Sequence, residues 1–194
     1  YLSGAVNISQ MGAGADASPR ENMTAFQRSF DIGGDLCLLE PGVYWIDGLL
    51  RIQSNTRLFI GAGVYLKLWP GSNCNLLVNS RFASPPLTVS SLASTDGITV
   101  TATCAHGQAV GSQDWMFIYG ASPEPYNGVW LVTFQSATTF VYQVAKIAPS
   151  ETLTTPATGT IRCRLANGNI SIIGGIWDYN GSQQSTPDTA DKHG

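Results

Sequence analysis

The stretch Asn169-Ile170-Ser171-Ile172-Ile173-Gly174-Gly175 resumes an alternating pattern that runs earlier from Leu36 to Val78. In the earlier run, apolar residues occupy every second position between Gly-rich turns, which is the period of a β-strand. Leu38, Leu58 and Leu76 recur at a spacing of about 20 residues, as in folds that stack one turn of chain on the next. The two runs therefore predict one strand-based unit that a separate segment interrupts.

The strand pattern allows two architectures. Strands at this spacing predict the first coils of a parallel β-helix, with apolar side chains stacked inside from coil to coil. Short strands with Gly-rich turns also occur in antiparallel sandwiches. A helix ahead of the strands and the return of the pattern at Asn169 favour the parallel β-helix. We therefore expect an all-β fold of this type.

A helix with a well-marked start is predicted ahead of the strands. Ser18 suits the N-cap, Pro19 suits the first helical position, and Glu21 completes a capping box. Three apolar side chains then fall on one face of the helix, at Met23, Phe26 and Phe30. Such a helix would cap the end of the strand stack and cover its unpaired backbone groups.

The interrupting segment has strands and turns of its own. Ser84-Pro85-Pro86 and Thr154-Thr155-Pro156 mark its ends. Four strands are predicted inside it, near 98–104, 115–119, 129–134 and 139–144, which suits a small antiparallel β-barrel or sandwich. The predicted organisation is 1–82 for the capping helix and first coils, 83–163 for the inserted module, and 164–194 for the return of the coils. We expect both chain ends to be internal to a longer protein.

The composition limits the classes of partner. Only 12% of the 194 residues are charged and the net charge is −3, whereas a typical chain has about 25% charged residues. Such a surface lacks the basic patch that nucleic acid requires. No apolar run approaches the ~20 residues that cross a bilayer. We therefore expect no nucleic acid, no membrane span and no cofactor.

The chain has four cysteines, Cys37, Cys74, Cys104 and Cys163. None forms a CxxC pair or lies at ligand spacing from a histidine, so no metal is expected. Cysteines inside strand-like runs behave as small buried apolar residues, and we expect all four to be reduced and structural. An even count would also allow two disulfides. Cys104 and Cys163 are then the first pair to test, because both border the interrupting segment.

Several motifs resemble, in order and spacing, the opening coils of pectate-lyase-like β-helix proteins, a group that includes polygalacturonase-like hydrolases and bacteriophage tailspikes. The motifs are Gly12-Ala13-Gly14-Ala15-Asp16, Ala25-Phe26, Gly33-Gly34, Leu39-Glu40-Pro41-Gly42-Val43-Tyr44, Leu58-Phe59-Ile60-Gly61-Ala62-Gly63, Gly174-Gly175-Ile176-Trp177-Asp178-Tyr179-Asn180-Gly181 and His193-Gly194. The resemblance covers residues 1–80 and 165–194 and implies a right-handed parallel β-helix.

The interrupting segment resembles a small β module of phage tail proteins. The motifs are His106-Gly107, Val110-Gly111, Tyr126-Asn127-Gly128-Val129-Trp130 and Thr138-Thr139-Phe140-Val141-Tyr142. At Ser112-Gln113-Asp114-Trp115 the chain departs from the usual pattern, where a tighter Gly-Asp turn is more common. The module favours a phage tailspike over a secreted microbial pectinase-like hydrolase.

The resemblance also implies function and partners. Tailspikes of this kind are homotrimers in the virion tail, contact other phage tail proteins and bind host capsular or O-antigen polysaccharide. They often depolymerise it as glycoside hydrolases or polysaccharide lyases, and here the catalytic residues are expected outside this chain. The alternative is a non-catalytic tail fibre, adhesin or structural tail protein.

No catalytic pair is evident in the sequence. Hydrolysis of a glycoside needs two carboxylates that face each other across the sugar. Asp188 and Asp191 lie three residues apart in a Ser/Thr/Pro-rich turn, which is more typical of a solvated loop. Lyase chemistry needs a base and a clamp for an acidic sugar, and Lys192 alone does not supply them.

Carbohydrate binding has better candidates. Trp177, Asp178, Tyr179 and His193 are the predicted carbohydrate-binding residues, because an aromatic ring matches the apolar face of a pyranose and His titrates near neutral pH. Trp45 and Trp69 offer the same chemistry if they face outward. Trp45 must face opposite to Tyr44 and Ile46. The alternative for these aromatic residues is core packing or a subunit contact, and for His193 a structural hydrogen bond at a turn.

Two further predictions concern the interrupting segment. His106 precedes a glycine, which is typical of a turn residue. Trp115 and Trp130 are expected to fill the core of the module.

Overall fold

The computed structural model describes residues 4–144, 153 and 156–184. One helix, α1, spans Pro19–Ile32. The strands in chain order are β1 (Val6–Asn7), β2 (Gly34–Leu38), β3 (Gly42–Ile46), β4 (Leu50–Ile52), β5 (Thr56–Leu68), β6 (Leu77–Asn79), β7 (Leu87–Thr88), β8 (Ser91–Ser94), β9 (Thr99–Thr103), β10 (Gln113–Tyr119), β11 (Gly128–Phe134), β12 (Thr139–Gln143), β13 (Arg162–Leu165) and β14 (Ser171–Asp178). Short 3-10 turns lie at Ile8–Met11, Ser80–Ala83, Glu124–Tyr126 and Gly181–Gln183.

The chain divides into two compact units. The first unit is Tyr1–Ser80 with Asn169–Gly194, and the second is Arg81–Gly168. The sequence placed these divisions at 82/83 and 163/164, and the structure has them at 80/81 and 168/169. Residues 154 and 155, at the predicted end of the inserted module, lie outside the described residues.

Parallel pairing around β5 organises the first unit. One sheet has the order β1-β2-β5-β14, with β3 also paired to β5, and a second sheet joins β4 to β6. All of these pairs are parallel. The first half of the 13-residue β5 pairs with β2 and the second half with β3, so one strand sets the register of two neighbours on the same side.

Strand β14 follows β5 with one irregularity. Its register shifts between Gly174 and Ile176, and Gly174 has a φ of +81°. A Cβ at this position would collide with the carbonyl oxygen of Ile60. Glycine is therefore required there, because it alone adopts this backbone conformation readily and lets the two strands come this close.

The core of the first unit lies between the inner face of the sheet and α1. Fully buried side chains from β2, β3 and β5 point inward, among them Leu36, Tyr44 and Leu66. From α1, Phe26 packs edge-on against both Phe30 and Tyr44, with ring centroids 6.2 Å and 6.5 Å apart. The helix is therefore a wall of the core.

The start of α1 is confirmed. Ser18 is the N-cap, Pro19 occupies the first turn, and Ser18 and Glu21 form the reciprocal capping box. Further along the helix, the Gln27 amide donates to the Arg51 carbonyl at 3.0 Å and accepts from the Arg51 N–H at 2.9 Å. The Gln27 side chain thus makes the hydrogen bonds to the backbone of β4 that a neighbouring strand would otherwise make.

The expectation of an all-β fold that starts a right-handed parallel β-helix is wrong. The fold is mixed, with 16% helix and 44% strand, and no parallel β-helix is formed in the described part of the chain. Parallel sheets of five and two strands are instead combined with α1 and with a separate antiparallel sheet. Apolar periodicity locates strands and their inner faces, but it does not determine whether successive turns close into a helix.

The second unit is one antiparallel sheet curved into a half-barrel. Its seven strands have the order β7-β13-β10-β11-β12-β9-β8. The four strands predicted for the inserted module fall on β9, β10, β11 and β12. Strands β7, β8 and β13 were not predicted, because runs of two to four residues are too short for a clear alternation.

The concave side of this sheet holds the second core. Met116, Ile118, Phe134 and Phe140 are fully buried there. Trp130 packs against this core and stacks on Tyr142 at 5.7 Å, as predicted. The expectation for Trp115 is wrong, because Trp115 alternates with Met116 and pairs with the exposed Leu131 on the other side of the sheet.

The first unit is predicted to fold without the second. The Ser80 hydroxyl bonds to the Gln53 side chain and the Asn169 amide to the Asn55 side chain, each at 2.9 Å. The residues at which the chain leaves and re-enters the first unit, Ser80 and Asn169, thus lie near the same turn. A short Gly/Ser linker that replaces residues 81–168 should therefore preserve the parallel sheet. Circular dichroism should show one cooperative thermal transition.

A matched variant checks that this transition is the unfolding of the apolar core. In the shortened chain, Leu66→Ala, at a fully buried position, should cost about 2–5 kcal/mol and lower the midpoint. A shortened chain that is insoluble, or that melts without cooperativity, would show that the first unit depends on the second.

Candidate functional site

The outer side of the sheet in the first unit carries two rows of side chains. Strands β3, β5 and β14 align Val43 with Tyr65 and Ile176, and two residues further on they align Trp45 with Lys67 and Asp178. Alternation sends Tyr44, Ile46, Leu66 and Leu68 inward, where they are buried. The outward residues, together with Trp69 after β5, form a surface that we call the aromatic face: Val43, Trp45, Tyr65, Lys67, Trp69, Ile176 and Asp178.

Three side chains form the ordered centre of the aromatic face. The Lys67 Nζ lies 2.9 Å from the Asp178 carboxylate and 5.3 Å from the centre of the Trp45 ring. The Trp45 ring in turn meets Trp69 edge-on, with centroids 5.4 Å apart. The ammonium group is thus held by a carboxylate and by an aromatic ring, an arrangement that fixes all of these side chains relative to one another.

The aromatic face is unusually apolar for an exposed surface. Tyr65 is 42% exposed and Trp69 is 43% exposed, and Val43 and Ile176 are exposed to a similar degree. Apolar side chains exposed singly are normal, whereas several exposed side chains in adjacent register make a contiguous patch of the kind that marks interaction sites. The two charges in the patch, on Lys67 and Asp178, neutralise each other.

The Asp178 carboxyl is held in its ionised form. The hydrogen bond from Lys67 lowers the pKa of this carboxyl, and the backbone N–H of Asn180, 2.7 Å from Oδ1, lowers it further. The side-chain amide of Asn180 donates to the Leu68 carbonyl at 3.1 Å, and this bond connects the end of β14 to the end of β5. Asp178 is therefore a fixed acceptor of hydrogen bonds.

Of the four residues predicted to bind carbohydrate, the structure describes three, and it does not bring these three together. Asp178 lies on the aromatic face. Trp177 lies on the opposite side, packs against the core and donates its indole N–H to the Gly174 carbonyl at 3.3 Å. Tyr179 is exposed just beyond β14. His193 lies outside the described residues, as do Asp188, Asp191 and Lys192.

Four residues of the aromatic face were not among the sequence candidates, and Lys67 and Tyr65 are the two of them that carry polar groups. Lys67 is one of two basic residues in the mostly apolar strand β5, and the carboxylate that it pairs with, Asp178, is more than a hundred positions further along the chain. The available signal was strand alternation, which puts Tyr65 and Lys67 on the same side as Trp69. The prediction that Trp45 faces opposite to Tyr44 and Ile46 is confirmed, and the structure shows that Tyr44 and Ile46 are the buried pair.

The other histidine takes part in packing. His106 is buried and its ring lies 4.5 Å from that of Phe134. Its Nδ1 accepts the backbone N–H of Gln108 at 3.0 Å, so the residue supports the predicted turn and fills the core of the second unit as well. Among the described residues, no group of three or more His, Cys, Asp or Glu side chains could hold a metal ion.

In the part of the chain that the structure describes, no helix has both the length and the apolar character needed to cross a membrane. No protein-family model matches the chain, and no significant match was found among curated proteins or solved structures.

Replacing Lys67 with Met should raise the pKa of the Asp178 carboxyl toward its ordinary value of 3.8. The pair contributes stability above that value, which is lost as the pH falls through the lowered pKa of the folded state. Since both side chains are partly exposed, at 30% and 42%, the loss of stability at neutral pH should be below about 1 kcal/mol. Carboxyl 13C chemical shifts followed against pH would measure the change.

The matched control is Arg57→Met, which removes a more exposed ion pair with Asp35 on the same sheet. This variant should leave the titration of Asp178 unchanged. An Asp178 pKa that does not move in Lys67→Met would contradict the described ion pair.

Proposed function

We propose that this chain is part of a bacteriophage tail protein that binds the surface polysaccharide of the host bacterium, and that the aromatic face is where the glycan binds. The observation that carries the proposal is the adjacency of exposed Tyr65 and Trp69 and half-buried Trp45 with a fixed Lys67–Asp178 pair. Sugar-binding surfaces need both parts, since aromatic rings cover the apolar face of a pyranose and fixed polar groups orient its hydroxyls.

The side chains at the centre of the aromatic face are held in fixed positions, which supports specific glycan binding rather than nonspecific apolar association. Trp45 is held between Lys67 and Trp69, so little side-chain freedom remains to be lost when a ligand covers it. Aromatic anchors that are fixed before binding contribute more affinity for this reason. Lys67 offers donors and Asp178 offers acceptors, and sugar hydroxyls use both.

The charge balance of the face indicates the kind of glycan. Lys67 is neutralised by Asp178 and, on the same sheet, Arg57 is paired with Asp35 at 3.6 Å. A surface that binds polyanions presents unpaired basic groups, and its affinity falls steeply with salt. The aromatic face therefore suits neutral stretches of a capsular or O-antigen chain, and we expect binding to change little with ionic strength.

Cleavage of the glycan would require groups beyond those of the aromatic face. A glycoside hydrolase needs a general acid with a raised pKa and a second carboxylate across the sugar. Asp178 is the one carboxylate in the set that defines the face, and the pKa of this carboxyl is lowered by Lys67. We propose depolymerisation, by hydrolysis or lyase elimination, for the protein that contains this chain rather than for the aromatic face.

A virion context follows from the same proposal. The motif order shared with phage tailspikes supports a place in the phage tail, in a homotrimer that contacts other tail proteins. The second candidate function is a non-catalytic tail fibre or adhesin. The aromatic face fits it without any further group, because binding needs only the aromatic rings and the fixed Lys67–Asp178 pair.

Trp69→Ala is expected to weaken glycan binding about tenfold. A sugar ring that covers about 60 Å² of apolar surface on Trp69 contributes about 1.5 kcal/mol, which corresponds to that factor. Calorimetric titration with a panel of purified capsular and O-antigen polysaccharides would measure it. Tyr65→Ala should act in the same direction without disturbing the contact between Trp45 and Trp69.

The control is Leu131→Ala, which removes an exposed apolar side chain of the second unit and should leave the affinity unchanged. Equal affinity of all three variants for a glycan that binds the unchanged chain would contradict the proposal. Gel filtration of the same mixtures, prepared with the full-length protein, separates a depolymerase, which shortens the glycan, from an adhesin, which does not.

A further inference from the structure

The second unit brings two cysteines from distant strands into contact. Cys104 follows the last residue of β9, and Cys163 lies in β13. Their Sγ atoms are 3.6 Å apart. In the sheet order, three strands, β10, β11 and β12, separate β9 from β13. Across a flat sheet four strand spacings would amount to about 19 Å, so the curvature of the half-barrel is what brings the thiols together.

Both thiols belong to the core of the unit. Cys104 is 3% exposed and Cys163 is fully buried, and each packs within the cluster that contains Phe134 and Phe140. The S–S bond of a cystine is about 2.05 Å long, so an approach of about 1.5 Å would close it. Rotation about the two Cα–Cβ bonds moves the sulfur atoms over distances of this order.

We propose that Cys104 and Cys163 form a disulfide when the chain is in an oxidising environment, and that this bond fastens the two sides of the half-barrel together. This differs from the sequence expectation of four reduced thiols. It does not rest on the proposed glycan binding, because it concerns the second unit alone.

The oxidation balances with a small disulfide, such as oxidised glutathione, as the electron acceptor. The thiolate of one of the two cysteines attacks one sulfur of the small disulfide, which forms a mixed disulfide and releases one small thiolate. The thiolate of the other cysteine then attacks the sulfur of the first and releases the second small thiolate. The two cysteines lose two protons and two electrons, and the small disulfide is reduced to two thiols.

The contact between the two sulfurs makes the thiols unequal in the folded unit. The hydrogen bond with Cys163 lowers the pKa of the Cys104 thiol and raises that of the Cys163 thiol, to which burial also contributes. Neither thiol is open to a small disulfide in the closed sheet. Because both groups are buried, the exchange takes place as the sheet forms or when it opens.

The expected physical effect is a more stable second unit. The two positions are 59 residues apart in sequence, and closing a loop of this length removes conformational freedom from the unfolded chain. The equilibrium constant for unfolding should fall about a thousandfold by the loop-entropy relation. The midpoint of thermal unfolding of this unit should then rise by on the order of 20 °C.

The test is refolding of the full chain from the reduced, denatured state in buffers of reduced and oxidised glutathione. Free thiols are then blocked with iodoacetamide, and peptides are mapped by mass spectrometry. The expected product is one linked peptide pair, Cys104 with Cys163, while Cys37 and Cys74 carry the blocking group. The unfolding midpoint should rise with the oxidised fraction.

A double variant, Cys37→Ala with Cys74→Ala, keeps only the proposed pair and should show the same rise. In Cys104→Ser with Cys163→Ser the rise should vanish. If that second variant does not fold, the first still decides the question. Recovery of Cys104 and Cys163 with the blocking group in oxidised glutathione, or linkage of either to Cys37 or Cys74, would overturn the proposal.

Discussion

Strand β5 is the element on which the first unit depends. This 13-residue strand pairs in parallel with β2, β3 and β14. Successive side chains along it point in turn into the core and to the surface. In such a strand a slip of one position would send every inward side chain to solvent. Five inward residues, Leu58, Ile60, Val64, Leu66 and Leu68, are almost completely buried, so the apolar core fixes the register strongly.

The same register builds the candidate site. Once Leu66 and Leu68 are fixed inside, Tyr65, Lys67 and Trp69 must point outward, and in-register pairing brings Trp45 and Asp178 to either side of Lys67. The ion pair and the ring contacts contribute little to stability because they are partly exposed. Their effect is to hold the aromatic face in one conformation, and this is the property that a glycan-binding surface needs.

Local signals in the sequence predicted local features well. Ser18, Pro19 and Glu21 marked the start of α1 correctly, because helix capping depends on neighbouring residues only. Alternation placed Tyr44 and Ile46 opposite to Trp45. The all-β parallel β-helix was wrong, since closure of successive turns depends on contacts between distant segments. Lys67 and Asp178 were not recognised as a pair for the same reason. Cys104 and Cys163 were singled out as a pair because both border the interrupting segment, and their sulfur atoms do lie 3.6 Å apart.

The most direct test of the aromatic face uses the indole N–H signals of the five tryptophans. The signals would be assigned with single Trp→Phe variants. They would then be followed in 1H-15N spectra while an oligosaccharide that binds the chain is titrated in. We expect the signals of Trp45 and Trp69 to shift with saturation, while those of Trp115, Trp130 and Trp177 stay in place. Saturable shifts of the latter three without change at Trp45 and Trp69 would place the glycan elsewhere and contradict the assignment of the site.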